Sequence, residues 1–108
     1  MSTKVLIKVE QALNNLAKKL RESVGAVDVY LFGSFARGDW LEDSDIDILV
    51  VSEEFEGISM PERINAVRKL ATGSLSFEIL AYTPKELEEV LERSLVLQDA
   101  STYWRKIT

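Results

Sequence analysis

The stretch Gly33-Ser34-Phe35-Ala36-Arg37-Gly38-Asp39-Trp40-Leu41-Glu42-Asp43-Ser44-Asp45-Ile46-Asp47-Ile48-Leu49-Val50-Val51 decides how this chain is read. Before it, the apolar run from Val27 to Phe32 delivers the backbone to Gly33-Ser34. There glycine permits a tight turn and serine can cap the first turn of a short helix. Free N–H groups at a helix start favour an anion, and Arg37 one turn later adds a forked charge suited to phosphate oxygens. Gly38 ends the turn. Past a polar loop the chain enters a second apolar strand, Ile46 to Val51, whose alternation puts Asp45 and Asp47 on one face and Ile46 and Ile48 on the other. Neighbouring carboxylates repel unless a cation lies between them, and an all-oxygen site suits magnesium bound jointly with substrate phosphates. A phosphate-binding turn and a metal-binding pair one strand apart suggest metal-assisted chemistry on a nucleoside triphosphate. Either half alone is more often a plain turn or a solvated loop, but the two together are less easily dismissed.

Working outward, Leu6, Val9, Leu13, Leu16 and Leu20 recur at three- and four-residue steps and predict an amphipathic helix from about Thr3 to Ser23. Lys4, Lys8, Lys18, Lys19 and Arg21 fall on its wet side, and Gly25 stops it. A stripe packed on a sheet is favoured over a coiled-coil seam, because the repeat is short. Val27, Val29 and Leu31 alternate with Asp28, Tyr30 and Phe32 as a first strand, with Asp28 at the end far from the turn. Asp39, Glu42 and Asp43 add loop charge but are poorer ligands than Asp45 and Asp47. Trp40 can stack on a base or cover the loop, and covering is the favoured reading.

Ser52 to Ser59 reads as a polar, mobile connection. A helix begins near Pro61 and carries Ile64, Val67, Leu70 and Ala71 on one side as far as Gly73. Ser74 to Tyr82 is the third strand, in which Glu78 is a carboxylate inside an apolar run, a placement usually paired or functional. Thr83-Pro84-Lys85-Glu86 has the form of a capping box, and Leu87, Val90 and Leu91 are expected to face inward. The pattern slips at Leu95-Val96-Leu97 and resumes through Ala100, Tyr103, Trp104 and Ile107, predicting continued helix with a bend or break. Tyr103-Trp104 fits core closure and an exposed partner anchor equally well.

The order helix, strand, strand, helix, strand, helix predicts an α/β (α+β) domain with a small mixed sheet flanked by helices. The loop after Phe32 is too short for a parallel crossover, whereas the helical connection after Val51 permits one. At 108 residues the chain is expected to form one domain, too small for a separate substrate-binding lobe. Hydrophobic content of 46% and charged content of 29% are ordinary for a soluble protein, and no signal-peptide pattern or apolar run of roughly 20 residues is visible. A cytoplasmic protein is therefore expected. Absence of cysteine and histidine excludes disulfides, thiolate ligands and an imidazole base. A net charge of -5 argues against non-specific nucleic-acid binding.

Gly33-Ser34, ten intervening residues and Asp45-Ile46-Asp47 resemble the signature of the nucleotidyltransferase superfamily that includes DNA polymerase beta. Leu31-Phe32-Gly33-Ser34-Phe35-Ala36-Arg37-Gly38 and Ser44-Asp45-Ile46-Asp47-Ile48-Leu49-Val50 look most like its minimal nucleotidyltransferase branch. The resemblance covers nearly the whole chain, with its specific motifs between Leu31 and Val51. It implies the nucleotidyltransferase fold and attack of an acceptor hydroxyl on the α-phosphate of ATP or another nucleoside triphosphate, releasing pyrophosphate. By the same resemblance Gly33, Ser34 and Arg37 hold the outer phosphates, and Asp45 and Asp47 bind two magnesium ions. A third carboxylate, normally aspartate, completes the metal set, and the matching residue is Glu78. Minimal members are commonly paired with a helical HEPN protein, and some resemble antitoxins that adenylylate a tyrosine of that partner. The rival is a binding module of the same fold that neutralises a partner by contact, with a weak or inactive site. A homo-oligomer is left open.

Overall fold

The computed structural model describes residues 3–108. Helix α1, Thr3–Val24, buries Val9, Leu13, Leu16, Ala17 and Leu20. Each leucine so buried stabilises the fold by roughly 2 kcal/mol. Leu6, the first member of the predicted stripe, is exposed, and Val5 packs against the core in its place. Strand β1, Asp28–Phe32, runs into the four-residue helix α2, Ser34–Arg37. Strand β2, Ile46–Val51, follows, then a 3-10 turn at Glu53–Phe55 and helix α3, Met60–Leu70. Strand β3, Phe77–Tyr82, leads to helices α4, Pro84–Arg93, and α5, Leu95–Ala100, and a two-residue strand β4, Arg105–Lys106. No helix among the described residues is long and apolar enough to cross a membrane.

The sheet order is β3-β2-β1-β4, with β1 antiparallel to β2 and β4, and β2 parallel to β3. This is the mixed sheet expected from the two connection lengths. Its register separates two faces. Val29, Leu31, Ile46, Ile48, Val50, Phe77, Ile79 and Ala81 join α1 and Val67 of α3 in one core. Tyr30, Phe32, Asp47, Leu49, Glu78 and Leu80 fall on the other by alternation. There Trp104 packs on Tyr30 with ring centroids 4.7 Å apart.

The structure corrects the readings at both ends of the second half. Ser52–Ser59 is not a loose connection: the Ser52 hydroxyl accepts from the Glu54 amide and donates to the Ala26 carbonyl, and Phe55 is buried. Helix does not continue to Ile107. Ser94 leaves helical geometry and caps α5 by accepting from the Leu97 amide, and after Ala100 the chain turns into β4. The Ile107 amide donates to Val29 and the Val29 amide to Thr108. Those bonds satisfy an edge of β1 that helix would leave bare, and the gain depends on a strand some 75 residues away.

The capping box forms as predicted, and it carries more than the helix start. Glu86 accepts from the Thr83 amide and also from both terminal nitrogens of Arg63, at 2.5 and 3.1 Å. The Arg63 side chain is buried, donating as well to the carbonyls of Ile58 and Ala81. It ties the loop before α3, strand β3 and helix α4 together. The hydrogen bonds from Arg63, then from the Thr83 backbone, lower the Glu86 pKa from 4.5 to about 2. Because its folded pKa is depressed, the stability contributed by Glu86 is present above pH 4.5 and is lost as pH falls through about 2. Glu86→Gln is expected to cost about 2 kcal/mol at pH 7, since it leaves a buried guanidinium without its anion. Denaturant melts should show the gap between parent and variant closing as pH is lowered toward 2. An equal gap at both pH values would show that the ion pair contributes nothing.

Candidate active site

Gly33 follows the last residue of β1 and has φ 72° and ψ -157°, a conformation closed to residues with a Cβ. It also occupies the N-cap position of α2, which has no side-chain cap. Ser34 is thus the first helical residue and not the cap predicted for it, because only glycine can make the bend that precedes it. The Ala36 and Arg37 amides turn back to the Gly33 carbonyl, and the Gly38 amide to Ser34. These donors are consumed within the turn, so the amide array expected to face a ligand is smaller than the sequence suggested. Gly38, with φ 92°, ends the turn as expected.

Gly33 is also bound to what lies beside it. A Cβ at this position would overlap the Asp47 carboxylate, with Asp47 Cγ only 2.8 Å away. Asp47 is the register partner of Phe32 on β1 and of Glu78 on β3. Phe32, Asp47 and Glu78 therefore form one row across three strands, with neighbouring strands about 4.8 Å apart. Asp45 precedes β2 by one residue and alternates onto the same face. The loop before it is held by reciprocal bonds between Leu41 and Ser44 and by Trp40, buried and stacked on Phe35 at 5.2 Å. Trp40 covers the loop, as favoured.

Glu78 is exposed, not enclosed in an apolar run as its sequence neighbours suggested. Phe77 and Ile79 point to the core, and the pleat sends Glu78 to the opposite face. Asp45 is exposed as well, and Asp47 is half-buried. Burial raises the Asp47 pKa above 3.8, and the charges of Glu78 and Asp45 raise it further against the opposing effect of Arg37. Asp47 thus senses both carboxylate neighbours. Among the described residues no three acidic side chains converge closely enough to hold a metal ion. The donor set still fits a hard divalent cation in kind, for it is all oxygen, and Glu78 is the register partner of Asp47 on the neighbouring strand.

A cavity of about 430 Å³ opens beside this row, lined by Phe32, Gly33, Ser34, Arg37, Asp47, Val96, Asp99 and Tyr103. Its volume suits a small-molecule ligand. Four predicted residues, Gly33, Ser34, Arg37 and Asp47, share its wall, while Asp45 and Glu78 do not line it. Arg37 bonds Asp39 at 3.1 Å and the Tyr103 hydroxyl at 3.0 Å, and these contacts hold its proton more firmly, Asp39 first. Tyr103 was not read as a site residue. Its partners Gly33 and Arg37 lie 70 and 66 residues away, so no local pattern signals the contact.

Residues 13–103 match the Nucleotidyltransferase domain family. The chain belongs to that family. Over 58 residues this nucleotidyltransferase domain is 41% identical to Protein adenylyltransferase MntA of Thermococcus cleftensis, covering 54% of this chain and 59% of that protein. It thus spans about three fifths of that relative's length. It is also 34% identical over 67 residues to a candidate protein adenylyltransferase of Methanocaldococcus jannaschii, covering 62% of this chain and 67% of the relative. A crystal structure of a candidate nucleotidyltransferase from Sulfolobus solfataricus superposes with a TM-score of 0.56 at 30% identity, over 82% of each chain. A toxin-antitoxin structure with AMP-PNP superposes at TM-score 0.54 and 23% identity, over 89% of this chain and 72% of the other, a likeness of fold. The nucleotidyltransferase fold expected from the Gly-Ser and Asp-x-Asp elements is the one observed.

Proposed function

We propose that this nucleotidyltransferase domain transfers a nucleoside monophosphate, foremost AMP from ATP, to a hydroxyl on a protein. The observation that carries this reading is the meeting of Gly33 with Asp47 at the mouth of a cavity that Arg37 also lines. It supports a phosphate-binding role for Gly33 and Arg37 beside the carboxylate row. The similarity to MntA supports adenylate transfer in particular. In this reading Gly33, Ser34 and Arg37 hold the outer phosphates, and Asp45, Asp47 and Glu78 hold magnesium. Magnesium, when bound there, neutralises phosphate charge and eases deprotonation of the acceptor. The acceptor oxygen attacks the α-phosphorus, forming one P–O bond while the bond to pyrophosphate breaks.

The cavity lies open at the protein surface, although transfer requires the hydroxyl to be held near the α-phosphate. A second protein closes it. The class proposed is a HEPN-type helical partner that presents a tyrosine, and the net charge of -5 favours a basic face on that partner. Incubating such a partner with the chain, magnesium and labelled ATP should add the mass of one AMP to the partner. No added mass, with the partner still neutralised, would favour the contact-only reading. That rival draws on one observation, the lack of convergence of three acidic side chains among the described residues.

Glu78 offers a sharper discrimination. Being exposed, Glu78→Gln should change stability by less than about 0.5 kcal/mol. Transfer should nevertheless fall about a hundredfold, and Glu78→Asp should retain or improve it. Transfer by Glu78→Gln at the parental rate would remove Glu78 from the metal set.

A further inference from the structure

The Tyr103 hydroxyl accepts hydrogen bonds from the Gly33 amide at 3.3 Å and from Arg37 Nη1 at 3.0 Å. A backbone N–H and a guanidinium converging on one oxygen is the arrangement that a phosphate oxygen takes. Both donors are groups assigned above to the outer phosphates of the nucleotide. They cannot serve the phenol and a phosphate oxygen at the same position. We propose that Tyr103 is a built-in competitor for the outer phosphates: its hydroxyl occupies their seat, and nucleotide binds by displacing it. This rests on the nucleotide-site reading above.

The local structure permits the exchange without disturbing the fold. Tyr103 lies in the turn between α5 and β4, and its ring is only half-buried. The main chain on either side is fixed independently: the Trp104 amide donates to Ala100 at 2.8 Å, the Trp104 ring packs on Tyr30, and Arg105 pairs with Leu31. Rotation of the Tyr103 side chain alone can therefore vacate the seat. A neutral phenol is the weaker acceptor, since bonds to an ionised oxygen are about twice as strong, so the phosphate wins the exchange at a reduced apparent affinity.

The test is the sign of a change in affinity. Tyr103→Phe keeps the ring that lies 5.6 Å from the Arg37 guanidinium carbon and removes only the acceptor oxygen. Calorimetry with Mg-ATP should show the variant binding about tenfold more tightly than the parent. Magnesium tripolyphosphate should show the same gain, because the competition is for phosphate and not for the base. In the parent labelled with 3-fluorotyrosine, the Tyr103 resonance should move on adding tripolyphosphate. If the parent binds Mg-ATP and Tyr103→Phe binds equally or more weakly, the hydroxyl positions Arg37 for phosphate and the competitor idea is overturned while the nucleotide site stands. If neither protein binds and the resonance stays fixed, the nucleotide-site reading fails and this inference fails with it.

Discussion

Asp47→Asn is expected to lower the proposed nucleotidyl transfer at least about a thousandfold, while the protein melts no lower than the parent. The substitution nearly preserves volume in a half-buried position, so packing against Gly33 and Phe32 is retained. What it removes is the one carboxylate that lines the cavity and is also flanked by Glu78 and Asp45. Its charge is disfavoured in the fold by burial and by those two neighbours, so its loss relieves the native state and stability at pH 7 should hold or rise. Activity and stability therefore move apart, which damage to the fold cannot imitate. Initial rates with labelled ATP, alongside thermal melts, measure both. Transfer at the parental rate, or a collapse of the melting temperature, would overturn the role given to Asp47.

The second large effect is Gly33→Ala, expected to destabilise by about 3 kcal/mol and to remove nucleotide binding in whatever fraction remains folded. Two costs add at this residue. An alanine is strained at φ 72° and ψ -157°, and its methyl would overlap the Asp47 carboxylate. Gly38→Ala gives the cost of a left-handed backbone alone, since Gly38 has φ 92° and ψ 7° and a Cβ there meets nothing within 4 Å. The control should lose only about 1 kcal/mol, the cost of backbone strain. Equal losses in the two variants, measured by denaturant unfolding, would mean that neither the backbone of Gly33 nor its contact with Asp47 demands glycine more than Gly38 does.

The local patterns were legible wherever neighbours in sequence are also neighbours in space. Helix α1, the capping box at Thr83-Pro84-Lys85-Glu86 and the turn ending at Gly38 follow from periods of 3.6 residues and from caps, which act within one helical turn. Glu78 shows the limit. Its sequence context is apolar, but the pleat places alternate residues on opposite faces, and exposure was decided by which face α1 and α3 cover. Arg63 shows it again: nothing around it in sequence marks a buried ion pair with Glu86, 23 residues on.

The candidate site divides along the same line. Gly33-Ser34 and Asp45-Ile46-Asp47 announced themselves, because turn chemistry and strand alternation are properties of short segments. By themselves they pointed to the nucleotidyltransferase family, while the element order and the two connection lengths pointed to the mixed sheet. Only tertiary structure decided that the β1–β2 register sets Asp47 beside Phe32, that Gly33 must lack a side chain because Asp47 already fills the space, and that Tyr103 reaches back to the same amide. The residues after Ala100 were open to the same rule: helical spacing favoured continued helix, and the unpaired edge of β1 drew Arg105–Lys106 into a strand, with Ile107 and Thr108 bonded to Val29. A backbone edge has hydrogen bonds to satisfy whatever the local propensity, and which segment satisfies it depends on contacts that no window of sequence contains.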